Sequence, residues 1–147
     1  MAYICCGDNN GTLVDDLWKF DGSDWKQLRD IANNDSDEDY DDDYAITRAG
    51  TVSFVIDGRG YIATGTRSGV TSDYWVYDPE EDLWYGDSDD DYTPMTNVHN
   101  VSSGGSSRSY AVSFSTGKRG FVLSGSSGTS YFDDVYELLP YEQEDVD

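Results

Sequence analysis

The sequence has few of the residues that build most catalytic, metal-binding and nucleic-acid-binding sites. It contains one histidine, two cysteines, and nine Lys and Arg against 30 Asp and Glu, so its formal net charge is −21. Because phosphate groups are bound by basic patches, this balance argues against nucleic acid and against an anionic membrane surface as partners. Histidine-based triads, and metal sites with several imidazoles, would need residues from outside the chain, since His99 is the single histidine.

Long apolar runs are also missing. No stretch approaches the roughly 20 apolar residues of a membrane-spanning helix, and the start MAYICCGDNNG does not have the basic and apolar regions of a signal peptide. Cys5 and Cys6 are adjacent, so within a strand their side chains would point to opposite faces. Zinc, redox and haem motifs need spaced cysteines. We therefore expect no membrane insertion, and a packing role for both cysteines.

Large apolar residues other than Tyr and Trp are scarce. Leu, Ile, Val and Phe make up 28 of the 147 residues, which together with the high net charge would be typical of a disordered chain. The chain nevertheless contains 12 Tyr, five Phe and four Trp, whose large rings bury much surface per residue. We predict a folded domain that carries acidic loops.

The strongest signal is an internal repeat. Two copies match at an offset of 60 residues, through Arg48-Ala-Gly-Thr-Val-Ser-Phe54 with Arg108-Ser-Tyr-Ala-Val-Ser-Phe114, and Arg59-Gly-Tyr-Ile62 with Arg119-Gly-Phe-Val122. An earlier copy aligns Tyr3-Ile-Cys-Cys-Gly7 with Tyr61-Ile-Ala-Thr-Gly65, and Leu17-Trp-Lys-Phe-Asp21 with Tyr74-Trp-Val-Tyr-Asp78. In the third copy, Phe121-Val-Leu-Ser-Gly125 and Val135-Tyr-Glu-Leu138 occupy the same places.

Each copy consists of short segments rich in β-branched and aromatic residues, bounded by Gly, Asp, Asn and Ser. The second copy predicts strands near residues 49–56, 60–65, 73–78 and 82–86. Four antiparallel strands in each repeat are typical of a β-propeller blade. We therefore predict an all-β chain with about two and a half to three four-stranded blades, at residues 3–28, 48–86 and 108–140.

The order of these signals, an apolar strand, Gly-Tyr-Ile-x-x-Gly, a Gly-rich turn, Tyr-Trp-x-Tyr-Asp-Pro and a following Trp, resembles the kelch repeat over about residues 3–138. With Ser130-Tyr-Phe-Asp-Asp134 and the acidic tail 141–147, the chain is similar to galactose-oxidase-like kelch proteins of Bacteroidetes-type bacteria. The resemblance implies one partial propeller domain over residues 1–147, the C-terminal portion of such a protein, and an extracytoplasmic location.

Two of the copies are incomplete. The first has no inner strand before Tyr3, and the third has no clear outer strand after Leu138. Propellers close on themselves, so the ring would be completed either by N-terminal blades outside this chain or by a second copy in a homo-oligomer.

Acidic runs lie between the copies, the longer one within the insertion 30–46. Clustered carboxylates suit Ca²⁺, which takes roughly six to eight oxygen ligands, although neither run has the Gly and Glu spacing of an EF-hand. The alternative, which we prefer, is a solvated acidic loop that aids solubility. The candidate calcium ligands are Asp35, Asp37, Asp39, Asp41, Asp87, Asp89 and Asp91.

Arg48 and Arg108 stand at equivalent places at the start of the inner strand. Convergent arginines there could bind a carboxylate or a sugar acid through bidentate hydrogen bonds. The alternative, which their repetition favours, is that each pairs with an acid or a carbonyl of a neighbouring blade. The repeated tryptophans likewise predict packing between blades rather than sugar stacking; they are Trp18, Trp25, Trp75 and Trp84.

No catalytic constellation is visible in the sequence. Galactose oxidase holds copper with tyrosines and histidines and has a tyrosine crosslinked to a cysteine, a set that one histidine and two strand cysteines cannot reproduce. We interpret the chain as a non-catalytic recognition or scaffold module that binds carbohydrate or protein through its loops. The alternative is part of a carbohydrate-active propeller enzyme, a sugar-acid epimerase or an oxidase, with its active site mainly outside this chain.

Overall fold

The computed structural model of the chain describes residues 1–31, 45–86 and 107–138. Throughout these ranges the regular secondary structure consists of strands, which pair antiparallel in four sheets. This confirms the prediction of an all-β chain. In order, the strands are β1 (Ala2–Cys5), β2 (Asp8–Asn9), β3 (Thr12–Leu13), β4 (Leu17–Phe20), β5 (Trp25–Gln27), β6 (Val52–Ile56), β7 (Arg59–Thr66), β8 (Val70–Asp78), β9 (Leu83–Gly86), β10 (Val112–Ser115), β11 (Gly120–Leu123) and β12 (Val135–Leu138).

The chain divides into two compact units, Met1–Ala49 and Gly50–Asp147, which are described separately. In the first unit, a sheet has the strand order β1-β4-β5, and β2 and β3 form a short hairpin. Buried Leu17, Ile31 and Ile46 supply its apolar interior. The first repeat therefore supplies a sheet of three strands, and we call it the first sheet.

One face of the first sheet is apolar. Ile4 lies opposite Trp18 on β4, and Phe20 lies opposite Trp25 on β5, so the register places their side chains on one face. The rings of Phe20 and Trp25 stack with their centroids 4.8 Å apart. This stacking joins the two strands at the edge of the sheet.

The second unit contains a four-stranded sheet, the second sheet, in which β6, β7, β8 and β9 lie in chain order. These strands correspond to the four predicted for the second copy. Asp57 and Gly58 form the turn between β6 and β7 with φ of 50° and 83°, as a two-residue type I′ turn requires. Along β6, side chains alternate between buried and exposed, and Val52, Phe54 and Ile56 face the core.

The third sheet, with the order β10-β11-β12, packs face to face on the second. Val122 and Leu138 of the third sheet are fully buried, and they join Phe54 and Ile56 in one core cluster. Gly120 permits the close approach, because a β-carbon there would lie only 2.4 Å from the Phe54 ring. The glycine of the repeat therefore has a packing role.

Hydrogen bonds between β6 and β10 follow the repeat. The Ser113 hydroxyl donates to the carbonyl of Ser53 at 2.7 Å, and the Ser115 hydroxyl donates to the carbonyl of Val55 at 2.6 Å. Each pair is separated by 60 residues. The second and third copies therefore pack with equivalent strands side by side.

The tryptophans do not all pack alike. Trp84 is buried, and the Trp75 ring approaches Gly86 so closely that a β-carbon there would lie 3.3 Å from it. The Trp84 ring lies 5.1 Å from the Tyr77 ring, so both contacts are within the second sheet, and the packing between blades stays a prediction. Trp25, the counterpart of Trp84 in the first copy, is exposed.

Candidate functional site

The two arginines predicted as binding residues are held by their main chains. In all three copies a residue and the glycine after it both have positive φ; the pairs are Cys6-Gly7, Thr64-Gly65 and Ser124-Gly125. This left-handed conformation, which glycine adopts readily, follows the end of the strand in the first and third copies and shifts the pairing register in the second, where β7 continues to Thr66. The Gly7 amide then donates to the Arg48 carbonyl at 2.9 Å, and the Gly65 amide donates to the Arg108 carbonyl at 2.8 Å.

The Arg108 guanidinium is fully buried in an ion pair of its own copy. Its Nη1 donates to Asp134 Oδ1 at 2.5 Å and to the Ser124 carbonyl at 2.9 Å, and its Nη2 donates to Asp134 Oδ2 at 3.0 Å. The Phe132 and Tyr136 rings lie 4.5 and 4.9 Å from the guanidinium carbon. The fork of donors is therefore directed to groups within the third repeat.

The carboxylate of Asp134 is stabilised in its charged form. The hydrogen bonds and the charge of Arg108 hold the pKa of Asp134 below its ordinary value, against the opposing effect of burial. A hydrogen bond with Tyr136 acts in the same direction. The pair is therefore ionic at neutral pH.

The aspartate recurs in every copy. Trp18 Nε1 donates to Asp16 at 2.6 Å, Trp75 Nε1 donates to Asp73 at 3.3 Å, and Tyr136 makes the corresponding hydrogen bond in the third copy. Each copy thus places an aspartate two residues before an aromatic donor. This Asp-x-aromatic pattern was not singled out from the sequence, although an aspartate stands one residue before each aligned segment.

Arg48 is also fully buried. Its Nε donates to the Ile46 carbonyl at 2.9 Å, and its Nη2 donates to the Ala45 carbonyl at 2.8 Å. Arg48 and Arg108 therefore both donate to acids or carbonyls of the protein, as in the alternative that gives them a structural role. One feature differs from that alternative, because Asp134, which pairs with Arg108, belongs to the same repeat and not to a neighbouring one. The ligand-binding role of the two arginines stays a prediction.

The cysteines do not follow the strand expectation. Both thiols are free, and they share a side-chain hydrogen bond that raises the pKa of Cys5 and lowers that of Cys6. Cys6 has left the strand with a φ of 64°, which explains why the two side chains do not lie on opposite faces. The Cys6 thiol also donates to the Ile46 carbonyl at 3.6 Å.

Exposed tyrosines mark a second candidate site, which sequence reasoning did not single out. Tyr131 is 89% exposed and Tyr110 is 76% exposed. Between β11 and β12, a Ser- and Gly-rich loop at residues 124–130 leads directly to Tyr131. We call the two tyrosines and this loop the tyrosine surface. Exposed tyrosine with serine and glycine is the composition of many recognition loops.

The tyrosine surface is held by backbone hydrogen bonds. Ser109 and Ser126 exchange two bonds of 2.9 Å each, and Ser126 also bridges to Tyr131. Within the loop, the Ser127 amide donates to the Ser130 carbonyl at 2.9 Å. Arg108 anchors the start of the loop through the Ser124 carbonyl. The exposed rings therefore rise from a fixed backbone.

A polar cleft of about 110 Å³ lies between the β6-β7 turn and the turn after β8. At its wall Arg59 Nε donates to Asp78 Oδ2 at 2.9 Å. Burial raises the pKa of Asp78, but the Glu80 amide and Arg59 outweigh it, so the pKa lies below its ordinary value. Sites for drug-sized ligands occupy roughly 300 to 1,000 Å³, so this cleft is smaller than such a site.

The predicted calcium ligands lie outside the described residues. These are Asp35, Asp37, Asp39, Asp41, Asp87, Asp89 and Asp91, and His99 lies there as well. Among residues 1–31, 45–86 and 107–138, no group of three or more His, Cys, Asp or Glu side chains is placed to hold a metal ion. The same part of the chain contains no helix with the length and apolar character needed to span a membrane.

Comparison with protein-family models and with curated proteins gave no match to this chain.

Proposed function

We propose that the chain is part of a kelch-type β-propeller and acts as a recognition or scaffold module that binds carbohydrate or protein through its loops. Three features support the propeller: the four-stranded sheet in chain order, the face-to-face packing of consecutive repeats, and the turn and Asp-x-aromatic pattern found in each copy. With the kelch resemblance we also propose an extracytoplasmic location. The enzyme alternative stays a prediction, since its catalytic groups would lie mainly outside this chain.

The observation that carries the recognition function is the tyrosine surface. Tyr131 and Tyr110 expose large rings, which otherwise favour burial, on two segments whose backbones are already hydrogen-bonded. A tyrosine ring can stack on the apolar face of a sugar or pack against a protein, and its hydroxyl can form a hydrogen bond. Because the loop is preorganised, binding costs little additional ordering.

The test is a binding screen with matched variants. The purified chain is applied to a glycan array, with calcium and again with a chelator, and protein partners are sought in parallel by crosslinking. We expect Tyr131→Ala and Tyr110→Ala each to weaken binding about tenfold or more, as is typical of aromatic anchors. Tyr131→Phe keeps the ring and separates stacking from hydrogen bonding.

Tyr3→Ala serves as the control, because Tyr3 is a partly exposed tyrosine of the first sheet and is not part of the tyrosine surface. Binding that survives both loop substitutions would contradict the proposed surface. Binding that depends on calcium but not on the tyrosines would instead favour the acidic runs. Absence of glycan binding in both conditions would remove carbohydrate as the partner and leave protein.

A further inference from the structure

One face of the third sheet carries apolar side chains that are exposed to solvent. The other face packs on the second sheet through Val122 and Leu138, as described above. Val112 is 63% exposed and Phe114 is 49% exposed on the outward face. We call this outward face the acceptor face; the register of β10, β11 and β12 gives its apolar members as Val112, Phe114, Phe121, Leu123 and Val135, and it places Glu137, which pairs with Arg119, beside Phe121.

The repeat shows what covers such a face. The equivalents of Val112 and Phe114 in the second sheet are Val52 and Phe54, which are only 4% and 7% exposed. They are buried because the third sheet packs on them. The positions of the third sheet that cover them include Val122 and Leu138. The natural occupant of an acceptor face is therefore a sheet of the same repeat that presents those two positions.

The first sheet presents those positions, and its face is partly exposed to solvent. By the repeat alignment, Ile4 corresponds to Val122 and Phe20 corresponds to Leu138. Ile4 is 55% exposed, and Trp25, which stacks on Phe20, is 50% exposed. We call the face formed by Ala2, Ile4, Trp18, Phe20 and Trp25 the donor face.

We propose that the acceptor face of one copy of this chain binds the donor face of a second copy, head to tail. A second copy is the indicated occupant because every chain carries both faces, and each corresponds to one half of the packing seen between the second and third sheets. Two different faces make a heterologous interface, which extends until a ring closes. This inference does not depend on what the tyrosine surface binds.

The net charge of the chain predicts how the association depends on ionic strength. With a formal net charge of −21, copies repel one another, and the two faces are mainly apolar, although Glu137 lies on the acceptor face and Gln27 on the donor face. Salt screens the repulsion and leaves apolar burial intact. We therefore expect association to strengthen with ionic strength, opposite to the behaviour of a contact held by salt bridges.

Sedimentation velocity of the whole chain, over a wide range of concentration and at low and high salt, is the test. We expect oligomers that grow with concentration and with salt. Val112→Asp blocks the acceptor face and Ile4→Asp blocks the donor face, so each should weaken association about tenfold or more. Val55→Asp is the control, since Val55 is an exposed strand residue outside both faces.

Mixing the two blocked variants gives a decisive result. The Ile4→Asp copy keeps its acceptor face and the Val112→Asp copy keeps its donor face, so the mixture should form a heterodimer and nothing larger. A wild-type chain that stays monomeric throughout, a mixture that forms no heterodimer, or an equal loss in Val55→Asp would each overturn the proposal.

A gain-of-affinity variant covers the case in which an aspartate prevents folding. Ala2 stands where Gly60 and Gly120 stand in the other copies, and Gly120 is the residue on which the Phe54 ring packs. Phe114 is the counterpart of Phe54, so Ala2→Gly should let its ring approach more closely and tighten association several-fold. Weaker or unchanged association would contradict the docking of Phe114 on β1, and with it the proposal.

Discussion

Substitution of Asp134 tests whether the buried arginine is a structural anchor. Asp134→Asn preserves the shape of the side chain but removes the charge that faces Arg108, whose guanidinium is 0% exposed. The substituted amide can still accept one hydrogen bond, whereas the buried cation loses its counter-ion. We therefore expect the free energy of unfolding to fall and the backbone of the fold to stay the same.

The magnitude follows from the contacts. Removing one partner of a buried ion pair costs about 3 to 5 kcal/mol. Two features reduce this figure here: the Asp134 side chain is 34% exposed, and Arg108 keeps the Ser124 carbonyl and the Phe132 and Tyr136 rings. We expect a loss of about 2 to 3 kcal/mol, a large share of the ~5 to 15 kcal/mol that stabilises a typical domain.

The assay is urea unfolding followed by far-UV circular dichroism, with extrapolation to zero denaturant. Glu137→Gln is the matched control, because Glu137 also forms a bidentate pair with an arginine, Arg119, but that arginine is exposed. Exposed ion pairs contribute little to stability, so this variant should stay close to wild type. A loss in Asp134→Asn below about 0.5 kcal/mol, or equal losses in both variants, would refute the anchor role.

Two further predictions concern packing and pH. Gly120→Ala places a methyl group 2.4 Å from the Phe54 ring, so it should cost about 1 to 3 kcal/mol in the same urea assay, whereas Gly69→Ala, with open space around it, should cost far less. Asp134 and Asp78 have folded-state pKa values below their ordinary values. Their contribution to stability is therefore present at neutral pH and is lost as the pH falls through the folded pKa, below about pH 4. The stability difference between wild type and Asp134→Asn should accordingly shrink in urea titrations toward acid pH, and a difference independent of pH would contradict this origin.

The strands of the second sheet could be predicted because their local signals agree. Short β-branched and aromatic segments, the Asp57-Gly58 turn and the repeat all indicate the same four-stranded pattern. The glycine of each copy was equally informative, since Gly65 and its counterparts all have positive φ and interrupt the regular strand pairing. Periodicity and turn chemistry are local properties, and a sequence displays them directly.

The candidate sites were less predictable because they depend on burial and partner choice. An arginine at a repeated position fits either a ligand or an internal acid, and only the three-dimensional contacts assign Arg108 to Asp134. The exposure of Tyr131 has the same origin, because a tyrosine after a Ser-rich loop is equally compatible with a packed ring. The alignment of the repeats also does not predict that Val112 is exposed, because its counterpart, Val52, is buried.

The contrast between Val52 and Val112 connects the anchor to the proposed association. Equivalent side chains are buried in the second sheet and exposed in the third, so the third sheet gains apolar burial from one face only. The Arg108–Asp134 pair joins the residues just before β10 to those just before β12. It therefore connects two strands of the third sheet, whose outward face is exposed. Binding of a second copy would supply packing on that face, and a species that binds only the folded chain raises its apparent stability by mass action. The loss of unfolding free energy in Asp134→Asn should therefore be measured at one fixed, dilute protein concentration at which copies are separate. The unfolding measurement then reports the Arg108–Asp134 pair, and sedimentation reports the association of copies.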